Sequence, residues 1–131
     1  MSMIPRISKA EWEVMEAVWR RHPATALEIV QDLSCSCDWK EQTIRTMLSR
    51  LVRKGALHYE TEGRRFLYRP LWEREEMVKN ESRTFLQRVM RGVAAPVLVQ
   101  LVEEAQLTRD DIEELRTLLN KKQPQNPKKQ T

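Results

Sequence analysis

The sequence predicts a mostly α fold interrupted by one small β-hairpin, and two patterns predict it. Apolar residues recur at helical spacing before Gly55 and again after Trp72, whereas between Leu57 and Tyr68 they alternate. The distribution of charge then divides the chain by task. From Lys40 to Arg69 eight basic residues stand against three acids, while Glu103 to Asn120 carries six acids against two arginines. The whole chain has a net charge of +4. A basic middle and an acidic end suit a polyanion-binding module followed by a segment with other work.

Ser8-Lys9-Ala10-Glu11 is a capping box: the Ser hydroxyl accepts the N3 amide while the Glu reaches back. It opens a helix with Trp12, Met15, Val18 and Trp19 inward, ended by His22-Pro23. Thr25-Ala26-Leu27-Glu28 is a second capping box, opening a shorter helix with Ile29, Val30 and Leu33 inward. The turn Ser34 to Asp38 leads to the stretch Trp39 to Gly55. There Ile44, Met47, Leu48 and Leu51 form an apolar face, and Gly55 supplies the stop with Arg53 and Lys54 in the last turn. Gln42, Thr46, Ser49 and Arg53 point the opposite way, with Thr43, Arg45 and Arg50 on the flanks.

After Gly55 the period becomes two. Leu57 and Tyr59 share one strand face, Phe66 and Tyr68 share the next, and Glu62-Gly63-Arg64 supplies the turn. Three helices followed by a hairpin with arginines at its tip is the order of a winged helix-turn-helix. Its outward helix face of Gln, Thr, Ser and Arg is the side-chain set that hydrogen-bonds base edges and phosphates in a major groove. Gln42, Thr43, Arg45, Thr46 and Arg50 are the candidate base readers. Lys40, Arg53, Lys54, Arg64 and Arg65 are the candidate phosphate contacts.

Pro70-Leu71-Trp72 marks a boundary. A long helical segment from Glu73 to Arg91 carries Met77, Phe85, Leu86, Val89 and Met90, and Gly92 and Pro96 break it. A short apolar helix follows from about Pro96, and Thr108 caps a last one, with Leu107 and Ile112 placed for a hydrophobic staple. So small a segment rarely sustains its own core, so pairing with a second copy is expected. The candidate dimer contacts are Phe85, Val89, Val97, Leu98, Leu101, Val102, Ile112, Leu115, Leu118 and Leu119. The expected organisation is residues 1–71 as a winged DNA-binding domain, 72–122 as a helical dimerisation domain and 123–131 as a disordered tail.

Other chemistries find little support. No nucleophile, base and acid are arranged for catalysis, no Gly-rich phosphate loop occurs, and the carboxylates are expected on solvent faces of helices. Cys35 and Cys37 are thiolate ligand types, but a structural zinc site wants four ligands, so no metal and no cofactor are expected. Trp12 and Trp19 are expected in core packing, and Trp39 as an anchor for the start of the central helix. No signal peptide and no membrane-spanning apolar run are read, so a cytoplasmic location without membrane insertion is expected.

Several blocks resemble the penicillinase repressors, the BlaI/MecI/CopY group. They are Ile7-Ser8-Lys9-Ala10-Glu11-Trp12-Glu13-Val14-Met15, Asp38-Trp39, Thr43-Ile44-Arg45-Thr46 through Arg50-Leu51, Lys54-Gly55, Phe66, Tyr68-Arg69-Pro70-Leu71 and Asp111-Ile112-Glu113-Glu114-Leu115. The resemblance implies a homodimeric repressor on palindromic operator DNA, released when a membrane sensor leads to proteolysis in the dimerisation domain. The scissile Asn-Phe pair of the staphylococcal repressors falls on Gln100-Leu101 here. The copper branch, in which a metal ion releases the repressor, carries paired Cys-x-Cys motifs near its C-terminus, and this C-terminus has no cysteine. The alternatives are that metal-responsive mode, or a winged-helix module that binds protein or RNA; the polar helix face argues against the second.

Overall fold

The computed structural model describes residues 4–89 and 95–124. The expectations for Met90, for the break at Gly92 and for the tail from residue 125 lie outside them. In order the elements are α1 (Lys9–Arg20), α2 (Ala26–Leu33), α3 (Glu41–Lys54), β1 (Leu57–Glu62), β2 (Arg65–Pro70), α4 (Arg74–Val89), α5 (Ala95–Glu104) and α6 (Arg109–Lys121). The fold is mostly α with one antiparallel hairpin, as the periodicities predict.

Both capping boxes form. Ser8 Oγ accepts from the Glu11 amide at 3.1 Å, and Thr25 Oγ1 accepts from the Glu28 amide at 3.2 Å. The core of α1 is Val14, Met15, Ala17 and Val18, all fully buried, while Trp12 and Trp19 are half-buried at its edge. An indole N–H needs a partner, which places both rings at the rim. Trp12 donates to Glu16 at 3.2 Å and Trp19 to the Trp72 carbonyl at 2.9 Å. Ile29 and Leu33 of α2, and Ile44, Met47, Leu48 and Leu51 of α3, complete the core under β1 and β2.

β1 and β2 pair in register from Leu57 opposite Pro70 to Glu62 opposite Arg65. Gly63, at φ +65°, takes the first loop position, which a two-residue hairpin of type II′ reserves for glycine. Ala24 adds a bridge on the other edge of β2, exchanging backbone hydrogen bonds of 3.1 and 2.7 Å with Tyr68. This bridge ties the α1–α2 connection to the hairpin, so the marginal two-stranded ribbon is held on the helices.

The chain divides into two compact units, Met1–Ser82 and Arg83–Thr131, with the division inside α4. The first unit therefore runs beyond the expected end at Leu71, for three physical reasons. Trp72 Nε1 donates to the Gly55 carbonyl at 3.0 Å, Arg74 grips Glu16 through two bonds of 2.8 and 3.0 Å, and Met77 is fully buried in the same core. In the second unit Thr108 caps α6 by a box with Asp111, and neither α5 nor α6 has a buried residue. Among the described residues no helix is long and apolar enough to cross a membrane.

Candidate nucleic-acid interface

α3 is the element on which the site depends. It starts at Glu41, so Trp39 and Lys40 precede it, and Lys40 is an N-cap without a side-chain bond. Gly55 closes it in the left-handed region at φ +87°. Opposite the buried stripe, Gln42, Thr43, Arg45, Thr46, Ser49, Arg50 and Arg53 are all exposed. Gln42, Thr43, Thr46 and Arg50 line one groove with half-buried Trp39, so the candidate base readers apart from Arg45 are gathered on one surface. Gln42 Nε2 lies 3.5 Å from Thr46 Oγ1, at the limit of a hydrogen bond, which leaves both groups free for a stronger partner.

Arg45 belongs to a second cleft, with Arg64 and Arg65 of the hairpin tip. Two of these guanidiniums hold surface partners: Arg45 meets Glu41 at 2.8 Å and Arg65 meets Glu62 at 2.6 Å. Both pairs are open to solvent, where such contacts are worth ~0–1 kcal/mol and exchange readily for phosphate. Arg64 has no ion-pair partner among the described residues.

One expectation is corrected at the end of α3. Lys54 remains exposed there, with 38% of its side chain open. Its Nζ donates to Glu11 Oε1 at 2.6 Å and to the Arg6 carbonyl at 3.3 Å, so it closes the fold. Glu11 in turn is 2% exposed, against the expectation that the carboxylates lie on solvent faces. Desolvation alone would raise its pKa. The hydrogen bonds from Lys54 and Ser8, with the Lys54 charge, outweigh burial and hold the carboxyl below the ordinary carboxylate range. A signal for both residues was present. Lys54 follows Leu51 by three residues and Glu11 precedes Val14 by three, so each continues an apolar stripe.

Cys35 is exposed and Cys37 half-buried, with the Ser36 hydroxyl 3.8 Å from Cys37 Sγ. Among the described residues no group of three or more His, Cys, Asp or Glu side chains is placed to hold a metal.

Comparison with known proteins fits this geometry. The chain is 37% identical over 119 residues to the penicillinase repressor of Bacillus licheniformis, covering 91% of this chain and 93% of that one. It is 37% identical over 116 residues to the methicillin resistance regulatory protein MecI of Staphylococcus aureus strain N315, covering 88% and 94%. Among solved structures, the DNA-binding domain of the repressor BlaI superposes with a TM-score of 0.52 at 42% identity, covering 58% of this chain and 93% of that one. The monomeric form of the Bacillus licheniformis BlaI in complex with the blaP half-operator superposes with a TM-score of 0.51, at the same identity and coverage. The penicillinase repressor family model matches residues 7–121, from just before α1 to the last residue of α6. The winged unit and the helices after it thus fall within one family pattern, and the chain belongs to the penicillinase repressor family.

Proposed function

We propose that this chain is a transcriptional repressor that binds operator DNA as a homodimer, each protomer reading one half-site with the exposed face of α3. The observation that carries the reading is that face: Gln42, Thr43, Thr46 and Arg50 around one groove, on a helix whose other side is core. Gln and Arg offer bidentate contacts to adenine and guanine edges, and Thr methyls suit thymine methyls. The complex of the related BlaI with a half-operator supports operator binding. Lys40, Arg53, Lys54, Arg64 and Arg65 are the phosphate contacts that set affinity and register, Lys54 holding Glu11 as well.

The dimer is supported by what the second unit leaves uncovered. Leu98, Leu101, Val102, Leu118 and Leu119 are 46% to 67% exposed, on helices without a buried residue of their own. Covering such a surface with the same surface of a second copy yields a two-fold dimer, whose two linked half-site contacts give avidity beyond either alone. Cutting the chain near Gln100-Leu101 would separate most of that surface from the DNA-binding unit and release the operator with α3 unchanged. Both residues are exposed on α5, and a protease linked to a membrane sensor would meet the bond in a locally unwound helix.

Gel shift with duplex DNA, challenged with single-stranded DNA and with RNA, tests the repressor reading. Duplex should compete and the others should not; preference for RNA would overturn it. For induction, producing cells are exposed to a β-lactam and the protein is weighed intact. A fragment ending near Gln100 is expected; an uncleaved chain that still leaves its operator would exclude proteolysis.

A further inference from the structure

The bonds that close the end of α3 also fix the start of α4. Gly55 caps α3, and its carbonyl accepts from Trp72 Nε1 at 3.0 Å. The Trp72 carbonyl in turn accepts from Trp19 Nε1 at 2.9 Å, and the Leu71 amide donates to the Ala56 carbonyl at 3.0 Å. Two residues on, the Arg74 guanidinium donates to both carboxylate oxygens of Glu16, at 2.8 and 3.0 Å, and Glu16 also accepts from Trp12. A fork of this kind fixes direction as well as distance. Met77, three residues further along, is fully buried in the same core. Held at Trp72, Arg74 and Met77, the first turn of α4 cannot swing against α3 without breaking this clasp. From Arg74 to Val89 the helix has no glycine or proline, the residues at which helices kink, and it begins in the first compact unit and ends in the second.

We propose that Trp72 and Arg74 are positioning residues for operator recognition: by clasping the start of α4 to α1 and to the end of α3, they fix the half-site spacing that the dimer accepts. The inference rests on the dimeric operator-binding reading above and deepens it. Two half-sites bound by linked protomers are met at one distance and one helical phase. The covalent path from each α3 to the dimer-forming helices runs through α4, so slack at its first turn would let the pair engage half-sites over a range of spacings. A stiff joint concentrates the second α3 at one spacing, and a slack joint spreads it over several. Neither Trp72 nor Arg74 belongs to the set of DNA contacts, so their effect falls on the pairing of half-sites and not on either half-site alone.

The probe is a palindromic duplex selected by the intact chain from a random-sequence pool, with two derivatives. One carries two base pairs inserted at its centre, which moves a half-site by roughly 7 Å and turns it by roughly 70°. The other keeps one half-site and scrambles the second. The intact chain should lose about tenfold or more on the inserted duplex. Arg74→Gln changes a side chain that is 54% exposed, and Trp72→Phe keeps an aromatic ring while removing the donor to Gly55. Both should reduce the insertion penalty to about threefold or less, with single-half-site affinity and the dimer unchanged. An undiminished penalty in Arg74→Gln, or an equal loss on all three duplexes, would make the clasp merely structural and overturn the proposal. An intact chain that binds both spacings equally would overturn it as well, and in each of these cases the repressor reading stands. Failure of the intact chain to bind duplex, or a monomeric intact chain, would overturn both.

Discussion

Glu11 shows how a single charge serves the fold. Its folded pKa is lowered, so the Lys54 pair contributes fully above the ordinary carboxylate range and is lost as pH falls through the lowered value. Glu11→Gln keeps a side chain competent for the capping box and removes only the charge. With Lys54 still 38% exposed, the cost should be moderate, about 1–3 kcal/mol near neutral pH. Urea unfolding of both proteins at about pH 7 and about pH 3 checks this, because the difference should shrink in acid. An undiminished difference at the lower pH would show that the ion pair is not its source. The sequence made the chemistry of α3 legible at Gln42, Thr46 and Arg50, where residue type and helical phase agree. It misled at Glu11, where residue type spoke for solvent while helical phase spoke for the core.

Whole elements were easier to foresee than their connections. Three capping boxes, Gly55 and Gly63 punctuate the helices and the hairpin, and each reflects chemistry within a few residues of chain. The Ala24–Tyr68 bridge leaves no such mark, since one residue pair has no period. The Trp72 bonds to Gly55 and from Trp19 link positions 17 and 53 residues apart, so they follow from packing and not from local pattern. Through them the end of α3 is fastened to the start of α4, which is why the first unit passes Leu71. Gly55 is the vulnerable point. A Cβ there meets nothing within 4 Å, but φ +87° strains any other residue. Gly55→Ala should therefore destabilise by about 1–2 kcal/mol through backbone strain alone. Thermal unfolding checks it, and a neutral effect would mean that the helix can end in another conformation.

At the scale of the whole molecule, the proposed account needs a winged unit that folds alone and a second unit that needs a partner. The first has a core of fully buried side chains from Val14 to Met77; the second leaves Leu98, Leu101, Leu118 and Leu119 exposed. Removing residues 96–131 should leave a folded monomer, and operator affinity should fall by orders of magnitude as avidity is lost. Sedimentation should show the intact chain as a dimer at micromolar concentration and the truncated chain as a monomer; a monomeric intact chain would contradict the assembly. The central claim is that the exposed face of α3 reads sequence. Its most direct test is the ratio of operator to random-duplex affinity, at one fixed salt concentration, for the intact chain and for Thr46→Ala and Arg50→Ala. Each substitution should cost ~1–3 kcal/mol on operator DNA and far less on random duplex, collapsing the ratio. Equal losses on both DNAs would contradict the account and reduce the α3 face to a backbone contact.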